Sequence, residues 1–172
     1  MAKLWRCIIC GDPYIGSDPP ENCPFCGAYR KYILEAKVAE VNFDIELNEK
    51  DRANAERALD VEVSNATFYF CAAEKTDDAE GKLLFKALGK VEKEHASIWK
   101  KVLKLDSIPP GSEDCHTSNK DNLQESHDRE SRAIAFYKKA GEEAGDPRIK
   151  ELFEALVEVE TDHLNMSGER LA

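Results

Sequence analysis

The chain has 172 residues, 42% of them hydrophobic, and sets 34 acidic against 24 basic side chains for a net charge of −10. That length permits one or two domains with one sizeable core, and the acidic surplus argues against nucleic acid or an anionic membrane surface as partner. No apolar run approaches the roughly 20 residues that a membrane span needs and no signal-peptide pattern opens the chain, so the expectation is a soluble, cytoplasmic protein.

Residues 1–36 are expected to form a small cysteine domain. It contains Trp5-Arg6-Cys7-Ile8-Ile9-Cys10-Gly11 and Cys23-Pro24-Phe25-Cys26-Gly27, with 12 residues between the two knuckles. Paired Cys-x-x-Cys in a reducing compartment points to metal, not to disulfides. Cys7, Cys10, Cys23 and Cys26 have the spacing of a closed tetrahedral site. The glycine after each second cysteine lets the backbone turn its N–H groups toward sulfur, which stabilises thiolate charge. Pro19-Pro20 stiffen the intervening loop. Zinc ribbons share this knuckle, and a domain so small needs a metal to fold, so a structural zinc stands beside iron as an alternative.

Residues 37–48 form a linker with strand character, because Val41, Phe43, Ile45 and Leu47 alternate with polar residues. Helical periodicity then begins at Asn48, which caps a first helix with Asp51 three residues on, and runs to about Lys75. Asp78 caps a second helix ending near Leu105. A linker spans Asp106 to Thr117. A third helix starts between Ser118 and Asn122 and stops at Gly145. Asp146 caps the fourth, with Pro147 as its first residue.

Glu62/Glu130, Tyr69/Tyr137, Glu92/Glu160 and His95/His163 are all 68 residues apart, as are Phe68/Phe136, Leu84/Leu152, Phe85/Phe153, Ala87/Ala155, Leu88/Leu156 and Val91/Val159. This ungapped offset is an internal duplication. Each copy has a helix with one Glu followed by a helix with Glu-x-x-His, whose two side chains share a face. The candidate residues occupy the apolar stripes: Ala55, Leu59, Glu62, Ala66, Tyr69 in the first helix, Leu84, Leu88, Val91, His95, Ile98 in the second, and Leu152, Leu156, Val159, His163, Met166 in the fourth. An unpaired carboxylate there would be costly, and a metal removes that cost. Four carboxylates and two imidazoles are the set with which a four-helix bundle holds two metal ions, and imidazole favours transition metals over calcium or magnesium.

A Glu helix and a Glu-x-x-His helix, both repeated, with a short-spaced four-cysteine module in front, resemble the rubrerythrins in the reverse arrangement. The resemblance implies a mostly α protein: a ferritin-like four-helix bundle over 49–172, made of two duplicated hairpins with a crossover linker, behind a rubredoxin-like metal domain. It implies a di-iron centre with Glu92 and Glu160 bridging, Glu62 and His95 on one iron, and Glu130 and His163 on the other. Tyr69 and Tyr137 resemble the tyrosines that hydrogen-bond to a ligand glutamate across the bundle. Cys7, Cys10, Cys23 and Cys26 match the ligands of the rubredoxin-like iron. The implied activity is reduction of hydrogen peroxide or dioxygen. Electrons would pass through the cysteine-bound iron from an external donor, rubredoxin or an NAD(P)H-dependent reductase, since the chain has no Gly-x-Gly-x-x-Gly.

One position departs from the family pattern. The second Glu of the third helix is replaced by Ala133, and its repeat mate is Asn65. The six-residue set that remains is similar to the bacterioferritin centre, so a ferroxidase or iron-handling role is the alternative function. His127 lies one turn before Glu130 and reads as packing or exposed, with a proton donor or a group supporting a metal ligand as the alternative. Cys71 lies opposite Glu62 around its helix and Cys115 is in the linker, and the sequence assigns neither a role. Helices of about 25 residues are about 38 Å long, and the dozen linker residues reach about 40 Å. The span is tight, and a homodimer or small homo-oligomer that exchanges hairpins would relieve it, with the cysteine module expected to approach a di-iron centre across a subunit interface.

Overall fold

The computed structural model describes all of residues 1–172. Its elements are β1 (Lys3–Cys7), β2 (Pro13–Gly16) and β3 (Ile33–Glu35), followed by α1 (Glu49–Lys75), α2 (Ala79–Val102), α3 (Asn119–Glu143) and α4 (Pro147–Leu171). Strand β1 is the middle of an antiparallel sheet ordered β2-β1-β3, in which Trp5 faces Tyr14 and Cys7 faces Ile33. Three short strands cannot enclose a core alone. The buried residues of the strands and their loops, Cys7, Ile9, Cys10, Cys23, Cys26 and Ala28, instead join Trp99, Phe153 and Leu156 of the helices in one continuous cluster.

The helix starts follow from their caps. Asn48 Oδ1 accepts from Asp51 N at 2.8 Å, Asp78 Oδ2 from Gly81 N at 2.6 Å, Ser118 Oγ from Asp121 N at 3.2 Å and Asp146 Oδ1 from Arg148 N at 2.7 Å. Each satisfies a donor that the first turn leaves unpaired. Asp51 does more than cap: it is buried, and it accepts from Gly145 N at 3.0 Å and Asp146 N at 3.2 Å, fastening the start of α1 to the α3–α4 turn.

Two sequence expectations need correction, and two cysteines without an assigned role gain one. Helix α2 ends at Val102, earlier than Leu105, because the chain leaves the helix through Lys104 in the left-handed region at φ 56°. Residues 37–48 form no strand, since no strand lies alongside to pair with them. Their alternation instead seats an extended strap on the bundle, with Ile45 buried and Phe43 and Leu47 packed against the core. Cys71 and Cys115 are joined in a disulfide, with Cα atoms 5.9 Å apart.

Helices α1 and α2 form one hairpin and α3 and α4 the other, with thinner contact between α1 and α3. The crossover is held to α1 and α3 by that disulfide and by Glu113, which accepts from Ser64 Oγ at 2.7 Å and from Arg129 Nη2 at 2.9 Å. The linker therefore spans from α2 to α3 within one chain. No helix is long and apolar enough to cross a membrane.

Candidate metal centres

The two knuckles bring Cys7, Cys10, Cys23 and Cys26 together, each buried, with their sulfurs within 4.8 Å of one another. Cys7 and Cys26 sulfurs are 3.8 Å apart, as are those of Cys10 and Cys23. A tetrahedron with metal–sulfur bonds of about 2.3 Å has edges of about 3.8 Å, so the cage fits a four-thiolate iron or zinc. Gly11 and Gly27 have φ of 89° and 75°, the left-handed turns that close each knuckle. Beyond Gly11, Asp12 N donates to Cys10 Sγ at 3.5 Å. Without a cation four thiolates repel: hydrogen bonding to Cys23 pushes the Cys10 thiol up, and the reciprocal bond pulls Cys23 down.

In the bundle, Glu62, Glu92, His95 and Glu160 form one group and Glu92, Glu130, Glu160 and His163 a second, so Glu92 and Glu160 belong to both. All four glutamates are fully buried. His95 Nδ1 faces Glu160 Oε1 at 3.1 Å, Glu62 Oε2 at 3.5 Å and Glu92 Oε2 at 3.6 Å. His163 Nδ1 faces Glu160 Oε2 at 2.8 Å, Glu92 Oε1 at 3.0 Å and Glu130 Oε1 at 3.9 Å. The two imidazoles lie nearly parallel with centroids 6.4 Å apart.

Five carboxylate oxygens in this cluster (Glu62 Oε2, both of Glu92, Glu130 Oε2 and Glu160 Oε1) and His95 Nδ1 are buried without a hydrogen-bond partner. So many unsatisfied acceptors in one pocket are what two cations would satisfy, and four carboxylate charges balance two divalent ions. The donor set fits a di-iron centre. Burial pushes Glu62 and Glu130 well above the ordinary carboxylate range. Burial opposes the charge of Glu92 as well, but the His163 and His95 imidazoles beside it outweigh burial and Glu92 is lowered.

The tyrosines reach across the hairpins. Tyr137 Oη donates to Glu62 Oε1 at 2.5 Å, and Tyr69 Oη donates to Glu130 Oε1. Each bond occupies one carboxylate oxygen and leaves Oε2 free. Burial first, and the adjacent Glu130 or Glu62 charge next, raise both phenols well above their ordinary value. Tyr69 has a second partner that Tyr137 lacks: Ser126 Oγ, 2.9 Å away, where the other repeat has Ala58. No signal in the sequence singled out Ser126. His127 is half-buried and its Nδ1 lies 3.3 Å from Ser167 Oγ, outside both groups. No seventh carboxylate joins either group, and Ala133 and Asn65 are buried in its place.

Within this chain the cysteine module docks on the bundle. His95 Nε2 donates to the Cys26 carbonyl at 2.8 Å. That bond leaves Nδ1 as the ligating nitrogen. Tyr29 Oη donates to Asp162 Oδ1 at 3.0 Å, Lys31 Nζ meets Glu158 at 2.5 Å and Lys101 Nζ donates to Cys10 O at 2.8 Å. Arg148 Nη2 donates to Ile8 O, and both Lys101 and Arg148 lie over the Phe43 ring. These bundle-side contacts carried no sequence motif.

The Rubrerythrin family model matches residues 54–169. The chain belongs to the rubrerythrin family. A second model, the rubrerythrin rubredoxin-like domain, matches residues 5–33, ahead of the bundle. The chain is also similar to Reverse rubrerythrin-1 of Clostridium acetobutylicum, 46% identical over 35 residues that make up 20% of this chain and 19% of that protein. This rubrerythrin thus has its rubredoxin-like part first, and its four-cysteine cage and Glu/His cluster fit an iron site and a di-iron centre.

Proposed function

We propose that this protein is a peroxidase that reduces hydrogen peroxide, or dioxygen, to water at a di-iron centre supplied with electrons through its four-cysteine iron. The observation that carries this reading is the bond from His95 Nε2 to the Cys26 carbonyl, which joins a bundle ligand candidate to the backbone of a thiolate candidate. Iron storage or a structural zinc has no need of that joint. In this reading residues 1–36 are the metal domain, 37–48 the linker and 49–172 the bundle.

Glu92 and Glu160, common to both groups, would be shared between two irons, and Glu62 with His95, and Glu130 with His163, would complete the hold on each. When bound, the iron pair supplies the electrons that split the O–O bond, and the cysteine-held iron replaces them one at a time. Reduction of hydrogen peroxide to two waters takes two electrons and two protons. Tyr137 holds Glu62, and Tyr69 holds Glu130, by one oxygen each, so the carboxylates keep their orientation as charge changes. The line from Ser126 Oγ through Tyr69 Oη to Glu130 Oε1 is a place to hold a proton beside the pocket. The surrounding apolar side chains, Phe85, Leu88, Phe153 and Leu156, exclude water. An external donor, rubredoxin or an NAD(P)H-dependent reductase, restores the electrons.

The missing seventh carboxylate favours a second reading, ferroxidase chemistry in iron handling. Stopped-flow mixing of the anaerobically reduced, iron-loaded protein with one equivalent of hydrogen peroxide separates the two. In the peroxidase, the red absorption of the cysteine-bound ferric iron returns after the di-iron bands appear. If the bundle oxidises while the cysteine-bound iron stays reduced, the ferroxidase reading replaces it.

A further inference from the structure

Between α1 and α3 lies a cavity of about 230 Å³ walled by Arg57, Arg129 and Arg132 and lined below by Ser64, Asn65 and Ala133. No carboxylate lines it, although the chain carries a net charge of −10. Its base is made by the two positions, Asn65 and Ala133, at which the repeat lacks a further carboxylate, one turn along from Glu62 and Glu130. Small side chains there leave the space open.

The three guanidinium groups are unequally engaged. Arg129 is committed to Glu113 at 2.9 Å, Glu125 at 2.8 Å and Ser64 Oγ at 2.9 Å. Arg132 reaches only Glu125, at 3.5 Å, and is 66% exposed. Arg57 sits over the Phe136 ring, 4.3 Å from its centroid, and pairs with no carboxylate. Three cations against two carboxylates leave a positive charge at the rim. The second, independent sign is Asn65. It is 3% exposed, and its Nδ2 is buried with no hydrogen-bond partner, while its Oδ1 accepts from Arg129 Nη1 at 3.4 Å. A buried donor without an acceptor is costly and marks a place for one.

We propose that this cavity binds a small oxyanion, either a carboxylate or a tetrahedral inorganic anion. Arg57 and Arg132 grip it from the rim and Asn65 Nδ2 donates to it from the base. Forked guanidinium donors match paired oxygens of either kind, and the volume admits both. The site is separate from the metal cages and stands whether or not the bundle reduces peroxide.

The test is equilibrium dialysis of the metal-loaded protein against labelled acetate and, separately, labelled inorganic phosphate, with ionic strength fixed by chloride. One saturable site per chain is expected. The Arg57→Gln, Arg132→Gln double variant should bind about tenfold or more weakly, and Asn65→Leu should also weaken binding. Both arginines are exposed, so the double variant keeps the fold. Saturation by acetate alone identifies a carboxylate site, and by phosphate alone an inorganic oxyanion site. No saturable binding of either anion, or binding that survives the double substitution, overturns the proposal.

Discussion

His95 Nε2 and the Cys26 carbonyl oxygen are 2.8 Å apart, and this bond makes the two candidate metal sites neighbours within one chain. Its geometry depends on Gly27, the next residue. A Cβ there would lie 2.8 Å from Val159 Cγ1, and φ is 75°. Gly27→Ala therefore costs about 1–2 kcal/mol in backbone strain alone, roughly a tenfold loss of correctly seated module. The clash adds to that loss. Reoxidation of the cysteine-bound iron after peroxide mixing should slow, while its visible spectrum stays that of an intact four-thiolate site. Adding Val159→Ala should recover part of the rate. An unchanged rate in Gly27→Ala would show that electrons take another path.

Lys101 and Arg148 place two bundle cations on the carbonyls of the first knuckle, with Phe43 between them. Positive charge beside a four-thiolate iron favours its reduced, more negative form. Lys101 also stands 3.9 Å from Glu94, whose carboxyl is pushed up to about 7 by burial and by Asp12. Lys101→Met removes the cation and leaves that acidic pair uncompensated, so the midpoint potential of the cysteine-bound iron should fall. Lys101→Arg should retain most of the wild-type value. Spectroelectrochemical titration reads this directly, and equal potentials in wild type and Lys101→Met would mean that the contact is purely mechanical.

The bundle and its six converging residues were legible because a duplication writes each constraint twice: Glu62, Glu92 and His95 recur as Glu130, Glu160 and His163 in the same stripe positions. The four-cysteine cage was legible because its ligands are close in sequence. What the sequence concealed lies between distant segments. The docking of the module rests on the backbone carbonyls of Cys26, Cys10 and Ile8, which no side-chain pattern encodes. The Cys71–Cys115 disulfide joins residues 44 apart in sequence, with no paired motif to announce it. The alternation over Val41–Leu47 had the period of a strand, but period alone does not supply a neighbouring strand to pair with.

That disulfide fixes the crossover to α1. Closing a loop of 44 residues restricts the unfolded chain, which by chain entropy stabilises the fold by about 2–4 kcal/mol. Cys71→Ser with Cys115→Ser should lower the midpoint of thermal unfolding accordingly and leave the four-thiolate spectrum untouched. If the double variant melts with wild type under oxidising conditions, the crossover is held by Glu113, Ser64 and Arg129 alone.

The two tyrosines should not be equivalent. Tyr137→Phe strips one donor from the fully buried Glu62, at a cost of about 1–3 kcal/mol. Tyr69→Phe strips the donor from Glu130 and also leaves Ser126 Oγ without its partner, so its cost should be larger. Thermal unfolding of the two loaded variants ranks them. Equal losses would mean that Ser126 finds another partner and the asymmetry has no energetic weight.

Metal binding must displace protons, and the burial of the cluster fixes the sign. Burial raises Glu62 and Glu130. Burial would lower His95 and His163, but Glu62 and Glu160 respectively prevail and both histidines are raised. A raised carboxyl contributes stability fully below its unfolded value near 4.5, and loses it as pH rises through the folded value. A raised histidine does the same from below 6.5. Glu92 and Glu160 run the other way: their folded values are lowered, so their contribution is present above the unfolded value and is lost only in acid. The metal-free protein should therefore melt at a lower temperature near about pH 9 than near about pH 6. Ferrous ion, taking the place of the protons on Glu62, Glu130 and the histidines, should bind about tenfold more tightly per pH unit for each proton displaced. Anaerobic calorimetry in two buffers of different ionisation heat counts those protons. A binding heat independent of the buffer would mean that the cluster is already deprotonated, and that its carboxylates are satisfied by something other than the protons assigned to them here.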